Sequence, residues 1–410
     1  MTTTSSATAS SALNAQLLIL GVNGIPGIWH LDADIRSLVD AKVVERHSRQ
    51  ADVLSIFVAP MPPPRDRVRR DPPTRSFLAS GPWLSSLPTD LGDRPDACYQ
   101  VLRQALSGEI DVPDIRIYNG VDAIKRDIGC PDVEFIIPHR GSNTHLDVCV
   151  SGVSAQSMEC RASVCLDGDS GWRPVKACPR VRLFKAEDAP VGPYAIRQYL
   201  SMTSSADYLA FQDSDDFALP SRLEELLTAR LESGADIVGS HELRLDELEQ
   251  AVIPVRFPLD VNAALREVAE HPQLFPTTVA VASTVQRMGG FSTIRKFGGD
   301  TEYLLRAHFL ARIINVDRFV YIRRRREGSL TTAPETALGS PVRLELGRSW
   351  RRDFALVKSG QLALEDSSFA LCHGPVARIT PMEDESCGPS ASALSLQKKT
   401  MAPPRVSHDA

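Results

Sequence analysis

The sequence predicts an α/β fold, a mostly parallel sheet flanked by helices, and two observations carry that expectation. From Pro131 onward short apolar runs alternate with stretches of helical period, the pattern of parallel strands covered by crossover helices. Two of these runs lead directly into acidic turns, and open α/β sheets bind their ligands beyond the C-terminal ends of their strands.

The elements follow in order. Residues 133–138 ("VEFIIP") form an apolar run closed by proline, and 162–166, 181–184 and 208–211 are the next runs. Residues 146–156 and 194–204 read as the helices between them. The next helix is marked by Ser221 and Glu224 as a capping box, by a stripe of Leu223, Leu226, Leu227 and Leu231, and by Gly234 as its stop.

At 410 residues the chain has room for roughly two domains. An apolar content of 43% and a net charge of -5 are ordinary for a soluble protein and select neither nucleic acid nor an anionic membrane as partner. Residues 1–12 and 367–410, rich in Ser, Ala and Pro, read as tails unable to bury enough apolar surface to fold. Residues 13–130 read as a small α/β region of unknown role, with apolar runs at 17–22, 53–58 and 115–118 and a helical pattern over 97–106. Within it, 61–88 is rich in Pro and Arg and reads as a surface loop. The turn carrying Gly21, Gly24 and Gly27 is interrupted by Pro26 and reads as a plain loop. The main domain spans 131–335, and 336–366 is a C-terminal helical segment.

Eight cysteines without a C-x-x-C pair suggest neither a zinc site nor a disulfide framework, so a reducing, cytoplasmic setting is expected. No Lys or Arg precedes the apolar residues 17–20, which argues against a secretory signal. No run approaches the roughly 18 apolar residues of a transmembrane segment. If the chain works at a membrane it is as a peripheral visitor.

Three Asp-x-Asp triplets occur, at Asp32/Asp34, Asp167/Asp169 and Asp213/Asp215, so the triplet alone discriminates nothing. The third lies between an apolar run and a well-marked helix. Like charges pinned in so short a turn invite a hard divalent cation, Mg²⁺ or Mn²⁺. Equally, Asp213, Asp215 and Asp216 read as a solvated turn whose acids favour the helix dipole.

The order of features resembles the family 2 glycosyltransferases, which have the GT-A fold, are inverting and use nucleotide-sugars. "FIIPHRG" is similar to the family's opening strand, and Leu166, Asp167, Gly168, Asp169 and Ser170 to its second strand with paired acids. Gly192 to Gln198 resembles its G-x-x-x-x-R-N helix start, with Gln198 in place of asparagine. "YLAFQDSDD" resembles the strand and metal triplet, "GADIVGS" the following strand, and "GGFSTIRKFGGDTEYLLRA" the Gly-Gly-Phe turn and the helix that supplies the base. The likeness spans residues 131–332.

The resemblance implies an inverting transfer of a sugar, from a UDP-sugar ahead of other nucleotide donors, to a glycan, lipid or protein hydroxyl. It implies donor contacts for Pro138, His139, Asp167, Asp169, Arg197 and Asp213, and metal contacts for Asp215 and Asp213. Asp300 is the implied catalytic base. The family's first acid is missing at Gly299, and Glu302 is the nearest substitute. Tyr321 and Arg323 face the site by alternation on a strand, whereas most of the arginine run 323–326 reads as a solvated face. His271 is a weaker candidate, and His308 reads as packing. The competing expectation is a catalytically inactive nucleotide-sugar-binding or scaffold protein on the same fold. A nucleotidyltransferase would need a glycine- and lysine-rich loop that "PHRGSN" lacks.

Overall fold

The computed structural model describes residues 52–382 apart from 82, 85–86, 88–90, 92–93, 95, 113, 119–127, 169 and 175–179, together with the backbone of 15–19 and 27–32. The glycine turn around Gly21 and Gly24, Asp34 and Asp169 lie outside the described residues.

The N-terminal region contributes β1 (Ala15–Ile19), β2 (Gly27–Asp32), β3 (Val53–Phe57), β4 (Arg69–Arg70), β5 (Phe77–Ser80), α1 (Ala97–Leu106) and β6 (Asp114–Tyr118). Its sheet has the order β1-β2-β5-β3-β6. Residues 61–88, expected to be a loop, supply the buried β5 and also β4. Four residues, "FLAS", are too few to display a period, and the Pro/Arg-rich flank hides them.

The larger sheet takes β7 (Val133–His139), β8 (Arg161–Leu166), β9 (Val181–Ala186), β10 (Tyr208–Phe211), β11 (Phe217–Ala218), β12 (Ile237–Asp246), β13 (Ala251–Arg256), β14 (Val279–Val281), β15 (Ile313–Arg325) and β16 (Ile379–Pro381). Its path is β11-β15-β12-β14-β10-β7-β8-β9-β16, with β13 and β4 attached beyond β12. The run β10-β7-β8-β9 is parallel throughout. The chain leaves β7 toward β8 and β9 and then returns to its other side as β10. This makes the gap between the ends of β7 and β10 a topological switch point, where open sheets form a crevice.

Helices α2 (Asn143–Ser154), α3 (Pro193–Thr203) and α4 (Arg222–Ser233) are the crossovers. Gly152 lets α2 sit against β11: a Cβ there would lie 2.8 Å from the Phe217 ring and 2.9 Å from the Ala218 carbonyl. In α4 the expected capping box does not form, because the Ser221 side chain makes no cap hydrogen bond and Glu224 accepts from Ser157 instead. Leu231, expected on the buried stripe, is 53% exposed. Gly234 does end the helix, in the left-handed conformation.

After α4 come α5 (Val261–Glu267), α6 (Ala282–Arg287), α7 (Gly299–Ala307) and α8 (Pro341–Lys358). Among the described residues no helix is long and apolar enough to cross a membrane. The segment from 367, expected as tail, is folded as far as Met382: Phe369 is fully buried beside Phe354 and Phe309, and β16 pairs with β9. One large aromatic anchor and one strand pairing hold a stretch whose average composition is that of a linker. Residues 383–410 lie outside the described set.

His308 ends α7 between the Phe309 and Phe354 rings. Burial, then the positive charges of Arg266 and Lys358, depress its pKa to about 4. A base depressed in the folded state contributes stability fully above its unfolded value of about 6.5 and loses it as pH falls through the folded value. We expect His308→Gln to remove about 2 kcal/mol of the stability lost between pH 7 and pH 5, read by urea denaturation at both pH values.

Candidate functional site

The turn after β10 is anchored from beneath. Arg222, the first residue of α4, is fully buried. It donates to Gln212 Oε1 at 2.6 Å, the Phe211 carbonyl at 2.7 Å and the Pro276 carbonyl at 2.9 Å. Its guanidinium lies over the Phe135 and Tyr321 rings. Burial lowers its pKa to about 10, which leaves it charged at neutral pH. Asp216 is the buried acid of the turn. Its carboxylate accepts from the Tyr321 hydroxyl and the Arg324 backbone N–H, both at 2.8 Å. Burial, reinforced by Asp215 and Asp213, pushes its pKa well above the usual carboxylate range.

Asp213 and Asp215 are the accessible members, their side chains 38% and 24% exposed. Burial and the neighbouring Asp215 charge raise the Asp213 pKa, against the opposing pull of Arg197. Each already faces a guanidinium: Arg197 pairs with Asp213, and Arg326 donates to Asp215 at 2.9 Å. Among the described residues no three His, Cys, Asp or Glu converge as a metal centre. Two carboxylates two residues apart fit a cation that takes its other ligands from a diphosphate and water, the usual habit of Mg²⁺.

The β7 end closes the crevice. His139 is its last residue, is buried, and its Nδ1 lies 2.9 Å from Ser214 Oγ. Burial lowers its pKa and keeps the ring neutral. Pro138 pairs with Cys165 inside the sheet. Asp167 accepts from the backbone N–H groups of Val191 at 2.7 Å and Gly192 at 2.9 Å, so both its oxygens hold the turn into α3. A cleft of about 370 Å³ opens beside them, lined by His139, Arg140, Asp167, Ser170 and Pro190. A second groove of about 390 Å³, between α4 and β15, includes none of the triplet.

Helix α3 connects the turn to the remaining acid. Arg197 is buried, not an exposed helix arginine, and lies over the Tyr194 and Phe275 rings. One turn earlier the Tyr194 hydroxyl donates to Asp300 Oδ1 at 3.3 Å. Gln198 accepts from Phe291 N at 2.6 Å and donates to the Gly289 carbonyl at 3.1 Å. It thereby fixes the Gly-Gly-Phe turn, where Gly290 takes a φ of 74°, the left-handed conformation that favours glycine.

Asp300 stands in the first turn of α7 with its side chain 29% exposed. Burial acts to raise its pKa, but the charges of His271 and Arg197 outweigh it and hold the carboxyl below its ordinary value. Glu302, the expected substitute for the missing acid, is buried and bonded to Ser292, Arg295 and Arg306. Two positions along a helix point some 200° apart, which carries Glu302 into the core while Asp300 stays partly exposed.

The arginine run departs furthest from expectation. Arg324 reaches Glu247 at 2.5 Å and the Leu106 carbonyl at 2.5 Å. Arg325 pairs with Asp246 and Arg326 with Asp215. Arg323 lies 3.7 Å from Glu242. The run is a seam of ion pairs, not a solvated face. Tyr321 binds Asp216, as alternation on the strand allowed.

In structure, the chain is similar to glycosyltransferases of the GT-A type. The UDP-GlcNAc complex of TarS residues 1–349 from S. aureus is matched with a TM-score of 0.42 and 14% identity over 55% of this chain and 73% of that one. The mannosyltransferase PcManGT from Pyrobaculum calidifontis, solved with GDP-Man and Mn²⁺, is matched with a TM-score of 0.38 and 11% identity over 59% and 68%. No protein-family model matches the sequence, and no curated protein does.

Arg222→Leu removes the buried donor that serves Gln212 Oε1 and the Phe211 and Pro276 carbonyls. We expect it to cost about 3 kcal/mol of stability, with Arg222→Lys recovering part of it, as measured by urea denaturation.

Proposed function

We propose that this chain is an inverting glycosyltransferase, moving a sugar from a nucleotide-sugar donor to a hydroxyl of a glycan, lipid or protein acceptor. One observation supports the reading: three residues apart on α3, Arg197 meets Asp213 and Tyr194 meets Asp300, so one helix touches two acidic centres from distant parts of the chain. In this reading Asp300 takes the proton of the acceptor hydroxyl as its oxygen attacks the anomeric carbon. Asp215 with Asp213 would hold Mn²⁺ or Mg²⁺, which when bound supplies positive charge against the departing nucleoside diphosphate. Arg197 and Arg326, already beside these carboxylates, would add guanidinium contacts to the same diphosphate. The cleft beside His139 and Asp167 is the expected seat of the nucleoside, with Asp169 as a further donor contact. A UDP-sugar is the first donor to test, and the cytoplasm is the expected setting.

Gly299, where the family has an acid, favours one rival: a nucleotide-sugar-binding protein that does not turn its ligand over. Asp300→Asn is expected to reduce donor turnover by about 10²–10⁴-fold while keeping the rise in Tm that the donor causes. A wild type that binds donor but releases no nucleoside diphosphate with any acceptor sinks the enzyme reading. In a thermal-shift screen of UDP-, GDP- and dTDP-sugars, Mn²⁺ is expected to enlarge the response of the wild type and to have no such effect on Asp215→Asn.

A further inference from the structure

The space an acidic side chain would need at residue 299 is already filled. A Cβ on Gly299 would lie 2.9 Å from Cγ and Cδ1 of Tyr194, closer than side chains approach without displacement. The ring that excludes the acid also sends its hydroxyl to Asp300 Oδ1, at 3.3 Å. Burial raises the Tyr194 pKa, so this hydroxyl stays a donor at any working pH.

The second carboxylate oxygen has its own neighbour. His271 Nε2 lies 3.8 Å from Asp300 Oδ2, and its other nitrogen, Nδ1, is 3.1 Å from Thr301 Oγ1. The ring is thus tied to the same helical turn as the acid it faces. It enters from the loop between α5 and the 3₁₀ turn Phe275–Thr277 and faces the carboxylate oxygen that Tyr194 does not bond. Both side chains keep about a third of their surface open, 31% for His271 and 29% for Asp300, so a hydroxyl can reach the carboxylate without displacing the imidazole.

We propose that Tyr194 and His271 are positioning residues for Asp300, holding its carboxylate from two sides in place of the acid that Gly299 lacks. This rests on the reading of Asp300 as the base. A carboxylate hydrogen-bonded at one oxygen and flanked by an imidazole at the other keeps one orientation toward the incoming hydroxyl, and geometry of that kind bears on the rate of the transfer step rather than on donor binding. The pair is also electrically coupled. Burial lowers the His271 pKa, and the Asp300 charge opposes it; Arg323 and Arg343 lower it further, and Glu242 raises it. Around Asp300 the positive groups are His271, Arg197 and Arg343. When His271 takes a proton at acid pH it helps keep Asp300 ionised.

The test has two arms on the full-length chain. In the first, the His271 ring-proton resonance, identified by its loss in His271→Asn, is titrated by NMR. Its midpoint is expected to move to lower pH in Asp300→Asn, and an unmoved midpoint overturns the pairing. In the second, release of nucleoside diphosphate from UDP-glucose, UDP-N-acetylglucosamine or GDP-mannose with Mn²⁺ is followed against pH. Tyr194→Phe is expected to lower kcat about tenfold, the effect of one lost hydrogen bond, and His271→Asn and His271→Gln to lower it severalfold through loss of the ring beside Oδ2, with donor KM unchanged. The acid limb of the histidine variants should lie at higher pH than that of the wild type. Unchanged kcat and an unmoved limb, while Asp300→Asn is inactive, overturn the positioning role alone. A wild type that turns over no donor overturns the glycosyltransferase reading, and the NMR arm then still decides whether Asp300 and His271 act as a pair.

Discussion

The site depends on a buried positive charge that never reaches solvent. Arg222 carries its guanidinium into the sheet and gathers the end of β10, Gln212 and the carbonyls of Pro276 and Thr278 around it. An ion so placed is tolerated only if its N–H groups find acceptors. Here the acceptors are the end of β10, the neighbouring Pro276–Thr278 segment and Gln212, whose amide in turn donates to the carbonyls of Asp213 and Asp216, so satisfying the ion also fixes the turn. Asp216 completes the arrangement through Tyr321 and Arg324. Of three consecutive acidic positions around Ser214, one is thereby spent on structure, and the other two are left at the surface of the crevice.

Helix α3 plays the corresponding part on the other wall. Within five residues it supplies Tyr194 to Asp300, Arg197 to Asp213 and Gln198 to the turn at Gly289 and Phe291. Its own N-terminus is held by Asp167, which satisfies the N–H groups of Val191 and Gly192, donors that would otherwise remain unpaired ahead of the helix. A carboxylate that the sequence suggests as a ligand contact therefore also sets where the helix begins.

Much of the parallel half was legible because each strand there is an apolar run of four or more residues bounded by turn or helix signals. Residues 133–138, 162–166, 181–184 and 208–211 all lie in strands. Asp300 and Asp213 stand out only through the order of motifs, and in the structure both meet side chains of α3. What escaped notice has a common cause: side chains whose partners are remote in sequence. The arginines from 323 to 325 look solvated until Glu242, Asp246 and Glu247 arrive from β12 and the turn that follows it, and Arg326 until Asp215 does. Arg222 sits in an ordinary helix start and shows no local sign of burial. Glu302 resembles a substitute acid until Ser292 and Arg295 claim it. His271 carried a weak signal, since nothing in its own segment points to Asp300. The short β5 and the segment around Phe369 lack any period to read.

The core beneath α1 has a consequence for the order in which the chain can become a protein. Leu54, Ile56, Phe77 and Leu102 share one apolar cluster with Leu243, Leu245, Val252, Phe319 and Ile322. Asp71 binds Arg256, 185 residues away, and the Leu106 carbonyl accepts from Arg324, 218 residues away. During synthesis this segment cannot complete its interior until β15 has emerged, although earlier units of a chain ordinarily fold first. The N-terminal region thus closes late over a scaffold that the rest of the chain provides.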